Sequence, residues 1–477
     1  MDGIFDITIV GNGASGTATL IQLLKESSGL PEISICLIGK INSLGKGDAF
    51  ADNNEFLIMN MPSRDLSIVA DKPNHFIDWF NRQKGFSITD DYFPKRLEFA
   101  EYIEDTVKSL ISWSASINVC MMNNIALDIE YIKATRIYDI ITDSISNVTS
   151  RYVIVATGNP AQENHYLKQN ARNYIQNPYP LNIALNQIKD NTAVAIIGSS
   201  LSAVDAAIYL SHKNKHNKIY MISRKGKLPT VKGVVAAYKP RHCTQKKIMA
   251  TYVNNGHKKL SAYQIARIVR SEFRINSIDW RFLTKFGSGD IKESLENARN
   301  SCLRTNILMA IQFELDRAWR YVDEKVLSWI VDKKISQILH RIAPIPIINA
   351  QKIARMINTG ALEVLSGIEE IIPGQSHKVI TSEKDIEVDY IVNATGPSRR
   401  ATIESNLFLK NLVKKGYAQK HPSGGIATCP FNGKLRGKFP NLYSIGYPTF
   451  NQNPLINNIR LITHNAHDLA MAVIEEI

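Results

Sequence analysis

Asp6-Ile7-Thr8-Ile9-Val10-Gly11-Asn12-Gly13-Ala14-Ser15-Gly16 passes from an apolar β-type run through three spaced glycines into an apolar helical pattern. It predicts strand, turn and helix at the head of a dinucleotide-binding fold. Gly11 permits the tight turn, Gly13 lets the backbone approach a pyrophosphate, and Gly16 lets the helix pack closely on the strand. The phosphates then lie at the helix N-terminus, beside Asn12, Ala14 and Ser15 of the same turn. Ile33 to Ile38 follows as a second strand at the distance this fold needs.

A second stretch of the same kind runs Thr192-Ala193-Val194-Ala195-Ile196-Ile197-Gly198-Ser199-Ser200-Leu201-Ser202-Ala203. Ser200 and Ala203 replace the later glycines and are small enough to keep the backbone approachable, so Gly198, Ser199, Ser200 and Ser202 are candidate cofactor contacts. The helix is predicted to about Leu210, and the partner strand Lys218 to Ser223 ends on Arg224-Lys225. Folds that prefer NAD place an acid there for the ribose hydroxyls. Basic residues suit a 2′-phosphate, so this site is predicted to take NADPH.

The rest of the composition narrows the class. A chain of 477 residues, 44% hydrophobic and 21% charged, has the makeup of a soluble protein of two or three domains. It holds no apolar run of membrane-spanning length, and residues 1–5 lead straight into the first strand, so a cytoplasmic protein without a secretory leader is expected. Cys36, Cys120, Cys243, Cys302 and Cys429 form no Cys-x-x-Cys pair, which argues against a zinc site and a dithiol reductase. The net charge of +13 is densest at residues 213–218, 224–232 and 239–247, which fits an anionic cofactor or a solvated face. Residues 240–340 have helical spacing with Trp280, Trp319 and Trp329 interspersed. Aromatics so spaced read as core, and nucleic acid is not expected as a partner.

Further segments carry a resemblance. Leu44-Gly45-Lys46-Gly47-Asp48-Ala49-Phe50, then Asn60-Met61-Pro62, then Tyr92-Phe93-Pro94-Lys95-Arg96 with an apolar helix to Leu110, follow the first fingerprint. Residues 117–150 alternate as in a small antiparallel sheet and lead into Arg151 to Val155 and Ala156-Thr157-Gly158; His340-Arg341-Ile342-Ala343-Pro344 closes the helical region. Taken together the chain resembles bacterial FAD-NAD(P)-binding proteins related to flavin-dependent N-hydroxylating monooxygenases. The resemblance implies that Gly45, Gly47, Asn60, Met61, Pro62, Thr157 and Gly158 line FAD. It also implies that Asp389 to Gly396, with its second Ala-Thr-Gly, returns the chain to the flavin, and that Gly446 in Asn441 to Pro448 leads to the ribityl chain before a helix from about Leu455. Two departures are visible: Gly39-Lys40 stands where FAD folds carry a ribose-binding glutamate, and Tyr447 follows Gly446 in place of the common aspartate. His75, beside a helix start, reads as a cap or packing residue.

The fold expected is α/β, with two Rossmann-like dinucleotide-binding domains, one for FAD and one for NADPH, and a helical insertion. The FAD domain is expected in two segments, 1–170 and 351–477, around an NADPH domain at 171–350. The resemblance implies a monooxygenase in which NADPH reduces FAD, O2 adds, and a flavin hydroperoxide oxidises the amino group of a small amino acid or amine. A flavin dehydrogenase or oxidase and a non-catalytic FAD/NAD(P)-binding protein remain open. No catalytic side chain and no metal are assigned, because the cofactor carries such chemistry. The oligomeric state is not legible.

Overall fold

Runs rich in isoleucine and valine form the strands. In chain order they are β1 (Phe5–Val10), β2 (Ile33–Ile38), β3 (Ile117–Met122), β4 (Ala126–Ile132), β5 (Ile137–Thr142), β6 (Val148–Val155), β7 (Tyr174–Ile175), β8 (Ala193–Ile197), β9 (Lys218–Ser223) and β10 (Val231–Lys232). After the helical region come β11 (Ile345–Pro346), β12 (Leu362–Ser366), β13 (Ile368–Ile372), β14 (His377–Thr381), β15 (Ile386–Val388), β16 (Tyr390–Asn393) and β17 (Leu442–Ser444). This computed structural model describes residues 3–27, 31–40, 44–51, 54–114, 116–160, 162, 166, 171–213, 218–233, 238–284, 290–300, 303–398, 403–452, 454 and 458–477. Cys302, the basic residues at 214–217 and the expected helix start at 455 lie outside them.

Two parallel sheets repeat one plan. In the first, β3-β2-β1-β6 run parallel and β17 adds to the second half of β6, while β5 and β4 continue antiparallel from its first half. Ile9 therefore faces Leu37 on one side and Ile154 on the other. In the second, β12-β9-β8-β16-β7 are all parallel, with β13-β14-β15 as a separate antiparallel meander. The central strands are buried on both faces, which is why they read as continuous apolar runs. On the first sheet, Leu20, Ile21 and Leu23 of the helix Ala14–Glu26 share a core with Ala466, Leu469 and Val473 of the helix Ile459–Ile474.

Two expectations need correction. Strand β3 joins the parallel sheet through β2, leaving only β4, β5 and β6 as the antiparallel part. Segment 351–477 does not return whole to the first fold: β12 pairs with β9 and β16 with β8, so residues 362–393 complete the second sheet. The chain rejoins the first fold later, where Phe408, Leu409 and Leu412 pack on β4 and β5 residues and β17 pairs with β6. The cause is that Ala-Thr-Gly follows the fourth parallel strand of both folds. Only pairing tells which sheet a given copy belongs to.

Between β10 and β11 lies the helical insertion, including Gln245–Asn254, Ala262–Arg274, Leu303–Asp316 and Ile335–Ile342. Its own core contains Ile248, Phe273, Ile307 and Ile311. Trp319 is buried and Trp280 lies under the Arg270 guanidinium at 3.8 Å, but Trp329 is half exposed.

Candidate cofactor sites

The first glycine turn is built by contacts that leave no room for side chains. Gly11 has φ +111°, and a Cβ there would stand 2.2 Å from the Ala156 carbonyl oxygen; one on Gly16 would stand 1.8 Å from the Gly11 oxygen. These two glycines lock β1, β6 and the first helix together. Gly13 differs. Its φ is −70°, and a Cβ would meet only the Gly47 Cα, at 3.8 Å. Gly13 is also the N-cap of Ala14–Glu26, with no side chain capping the helix. Unused backbone N–H groups and an open cradle between Gly13 and Gly47 suit a pyrophosphate.

Neighbouring residues divide into those that shape this cradle and those that face it. Gly45 shapes it: its N–H donates to the Asn12 carbonyl at 2.8 Å, and a Cβ would collide with Ile103. Ala14 and Met61 pack against the core, and Pro62 caps the 3-10 turn Ser63–Asp65. Gly446 joins the site, since a Cβ on it would lie 2.6 Å from Ser15 Oγ. Thr157 Oγ1 and Asn60 Oδ1 are buried and find no hydrogen-bond partner among the described residues, while Gly158 faces open space. Asn12 is committed elsewhere. Its Nδ2 donates to the Lys40 carbonyl at 2.6 Å, and a Cβ on Gly39 would stand 2.4 Å from its Oδ1. The missing acid at Gly39 and the presence of Asn12 are thus one packing solution. A dinucleotide with its phosphates at Gly13 fits these residues.

The second turn mirrors the first. Gly198 has φ +126°, and its Cβ would stand 2.5 Å from the Ala394 oxygen, as Gly11 does against Ala156. Gly396 therefore belongs to the mouth of the second fold, which corrects its assignment to the flavin segment. Ser199 Oγ lies 2.8 Å from the Lys227 carbonyl and 3.0 Å from Ser223 Oγ, so it braces the loop after β9. Ser200 Oγ lies 3.3 Å from His340 Nε2. Ser202 hydrogen-bonds to Tyr179. Arg224 and Lys225 are exposed at the end of β9, and Arg224 forms no ion pair among the described residues.

Two polar joints tie the folds. Arg96, at the start of the helix Arg96–Trp113, donates to Asp205 Oδ2 at 2.5 Å, and the Tyr179 hydroxyl donates to the same oxygen at 2.5 Å. Asp205 lies on Leu201–Lys213 of the second fold, and both charges are almost fully buried. At the mouths, the Tyr447 hydroxyl donates to the Pro397 carbonyl at 3.1 Å, directly beside Gly446 and Gly396. His75 is a packing residue: its Nδ1 lies 2.8 Å from the Tyr102 hydroxyl within an aromatic cluster.

Residues 8–160 match the family described as FAD-NAD(P)-binding. The match spans the first fold from β1 to just past β6. No curated protein matches the sequence. Among solved structures, the chain is similar to the reduced form of an ornithine hydroxylase from Pseudomonas aeruginosa, at 12% identity, TM-score 0.63 and 99% coverage of both chains. It is similar to an L-lysine 6-monooxygenase from Pseudomonas syringae, at 11% identity, TM-score 0.61, covering 99% of this chain and 100% of that one. A bacillithiol disulfide reductase from Bacillus cereus aligns at 12% identity, TM-score 0.53 and full coverage of both chains. At these identities the likeness is one of fold: one dinucleotide fold interrupted by a second.

Two residues beside the first fold were not singled out in the sequence. Asn451 is fully buried, and neither its amide nitrogen nor its oxygen has a partner among the described residues. It faces Gly425, whose Cβ would lie 3.5 Å from Asn451 Oδ1, in the loop that follows Gly446 and Tyr447. Lys232 is buried with its Nζ 2.8 Å from the Asn60 carbonyl, and burial pulls its pKa down to about 8 against the attraction of Asp65. No local pattern marks Asn451, and Lys232 is visible only as the end of the basic run at 224–232, which does not foretell its burial.

His340 carries a pH prediction. Burial pulls its pKa down from 6.5 to about 4. Between these values the unfolded chain binds a proton that the folded chain refuses, so stability falls as pH drops through this window. Replacing His340 with glutamine should spare the protein up to about 2.5 kcal/mol of the stability lost between roughly pH 7 and pH 4.5. Denaturant unfolding of both proteins at the two pH values checks it; parallel losses would refute it.

Proposed function

We propose that the chain is an FAD- and NADPH-dependent monooxygenase acting on the amino group of a small amine or amino acid, with O2 as co-substrate. The observation that carries the reading is the meeting of two dinucleotide mouths at the Tyr447 to Pro397 hydrogen bond. Bound FAD, reduced by NADPH, would supply the activated oxygen that a nucleophilic amine takes up. The protein's part is position and dryness. Gly13 and Gly47, with the N-terminus of Ala14–Glu26, hold the FAD pyrophosphate. Ser200 and Ser202, at the start of Leu201–Lys213, hold that of NADPH, and Arg224 with Lys225 pairs its 2′-phosphate. Tyr447, Phe450 and Val331 form a buried apolar cluster at the junction, which keeps water from the reacting centre. The buried Asn451 amide, close after Tyr447 and Phe450 in the chain, offers a donor and an acceptor there. The fold shared with the ornithine and lysine oxygenases supports this choice of chemistry.

Rapid mixing of the FAD-loaded protein with NADPH or NADH, followed by oxygenated buffer with and without small diamines and amino acids, tests it. NADPH should reduce the flavin faster than NADH. Arg224→Ala should weaken NADPH binding by roughly ten- to a hundredfold, the value of a charge-assisted phosphate contact, and leave NADH unchanged. NADPH consumption should match hydroxylamine or nitroso product. Peroxide released in stoichiometric amount under every condition, or flavin reduction by an amine without NADPH, would establish an oxidase instead.

A further inference from the structure

The segment Phe56 to Asn60 belongs to the first fold by sequence and Met59 is buried in that fold's core, yet Phe56 and Leu57 pack into the second. Leu57 is buried in the second fold's core beside Val231 and Ile345, and the Phe56 ring stacks on His212 at 4.5 Å. The backbone repeats the pattern. Leu57 O accepts from Arg96 N at 2.9 Å and Met59 N donates to Pro94 O at 2.8 Å, so these residues pair with the 94–96 segment on one edge. By the two-residue alternation of extended chain, the carbonyls of residues 56, 58 and 60 point off the other edge, where no strand of the described residues pairs.

Cationic side chains take that edge. Lys352 Nζ lies 3.5 Å from Phe56 O, Arg96 Nε donates to Ile58 O at 3.3 Å, and Lys232 Nζ donates to Asn60 O at 2.8 Å. Lys232 and Lys352 come from the second fold, and Arg96 is ion-paired to the second fold's Asp205. Burying an ammonium is costly, and the carbonyls of this edge could be satisfied more cheaply by water. Lys232 ends beside the turn Asn60-Met61-Pro62, whose Asn60 Oδ1 has no partner among the described residues.

We infer that Lys232 is a positioning residue: through the Asn60 carbonyl it sets the Asn60–Pro62 turn against the second nucleotide fold, so that NADP(H) bound there is felt at the flavin. This rests on the cofactor reading above. A nucleotide that shifts the second fold shifts Lys232, the Phe56 seat and the Arg96–Asp205 joint together, and the turn follows because all three grip one short segment.

The test uses FAD-loaded protein and NADP+ alone, without turnover. NADP+ saturation is established by calorimetry for each protein, and the flavin difference spectrum is then recorded at saturation. Wild type should show a difference spectrum. Lys232→Met should keep its FAD and lose most of that amplitude, and Lys232→Arg should restore it. An amplitude in Lys232→Met equal to wild type overturns the inference. If Lys232→Met does not fold, Phe56→Leu carries the same expectation, and an undiminished response there overturns it equally. A wild type that binds neither FAD nor NADP+ fails the cofactor reading itself and takes this inference with it, a result distinct from normal binding with an unchanged response.

Discussion

Gly13→Val protein is expected to fold like the parent and to lose FAD. The backbone at Gly13 has φ −70° and ψ −171°, an extended conformation open to any residue, and a Cβ meets only the Gly47 Cα at 3.8 Å. The substitution thus costs the folded chain little, and whatever it blocks lies in the open cradle. A side chain placed there should lower FAD affinity by at least about a hundredfold, roughly 2.7 kcal/mol. Gly16→Ala supplies the contrast, because its Cβ would stand 1.8 Å from the Gly11 oxygen. Backbone must move to admit it, and the loss should be stability, by about 3 kcal/mol or more. Thermal unfolding of the apoproteins and FAD titration separate the two effects. If Gly13→Val binds FAD as tightly as wild type, the pyrophosphate does not lie at this turn.

Asp205→Leu should destabilise the protein by roughly 3–5 kcal/mol, because it leaves the Arg96 guanidinium buried without its counter-charge. Arg96 and Asp205 are both almost fully buried, so there is little solvent to take over from the lost partner. The double variant Arg96→Met with Asp205→Leu should recover much of that loss, since burying two apolar side chains carries no uncompensated charge. Denaturant unfolding of the two single variants and the double variant measures the coupling. Additive losses would mean that the pair contributes no joint stabilisation. The Tyr179 hydroxyl sits on the same Asp205 oxygen and touches Ser202, so the joint reaches the second turn directly.

Much of the local structure was legible because its cause is local. The spacing of Gly11, Gly13 and Gly16 demands a tight turn between strand and helix, and the apolar runs that begin at Thr192 and Lys218 mark β8, found from Ala193, and β9, found at Lys218–Ser223 as expected. The helical character of residues 240–340 is likewise written in three- and four-residue spacing. The cofactor class followed from these turns, and the match of residues 8–160 to an FAD-NAD(P)-binding family agrees with it.

What a linear reading confused was the ownership of repeated signals. Ala156-Thr157-Gly158 and Ala394-Thr395-Gly396 have the same local form, yet the first follows β6 and the second β16 in a different sheet. Parallel pairing joins strands far apart in sequence, so no window around Gly396 contains the partner, Gly198, that decides its place. The same holds for the segment Phe56 to Asn60. That Phe56 to Asn60 would leave the carbonyls of residues 56, 58 and 60 on a free edge, and that Lys352, Arg96 and Lys232 would fill it, depends on three elements separated by up to nearly three hundred residues. Sequence by itself determined the two turns, the strands that feed them and the charge expected at Arg224, because each depends on neighbouring backbone geometry. Only the tertiary structure decided which strand completes which sheet, why Gly39 replaces an acid, and how the two folds hold one loop, because these depend on close contacts between segments that the chain brings together only when it packs.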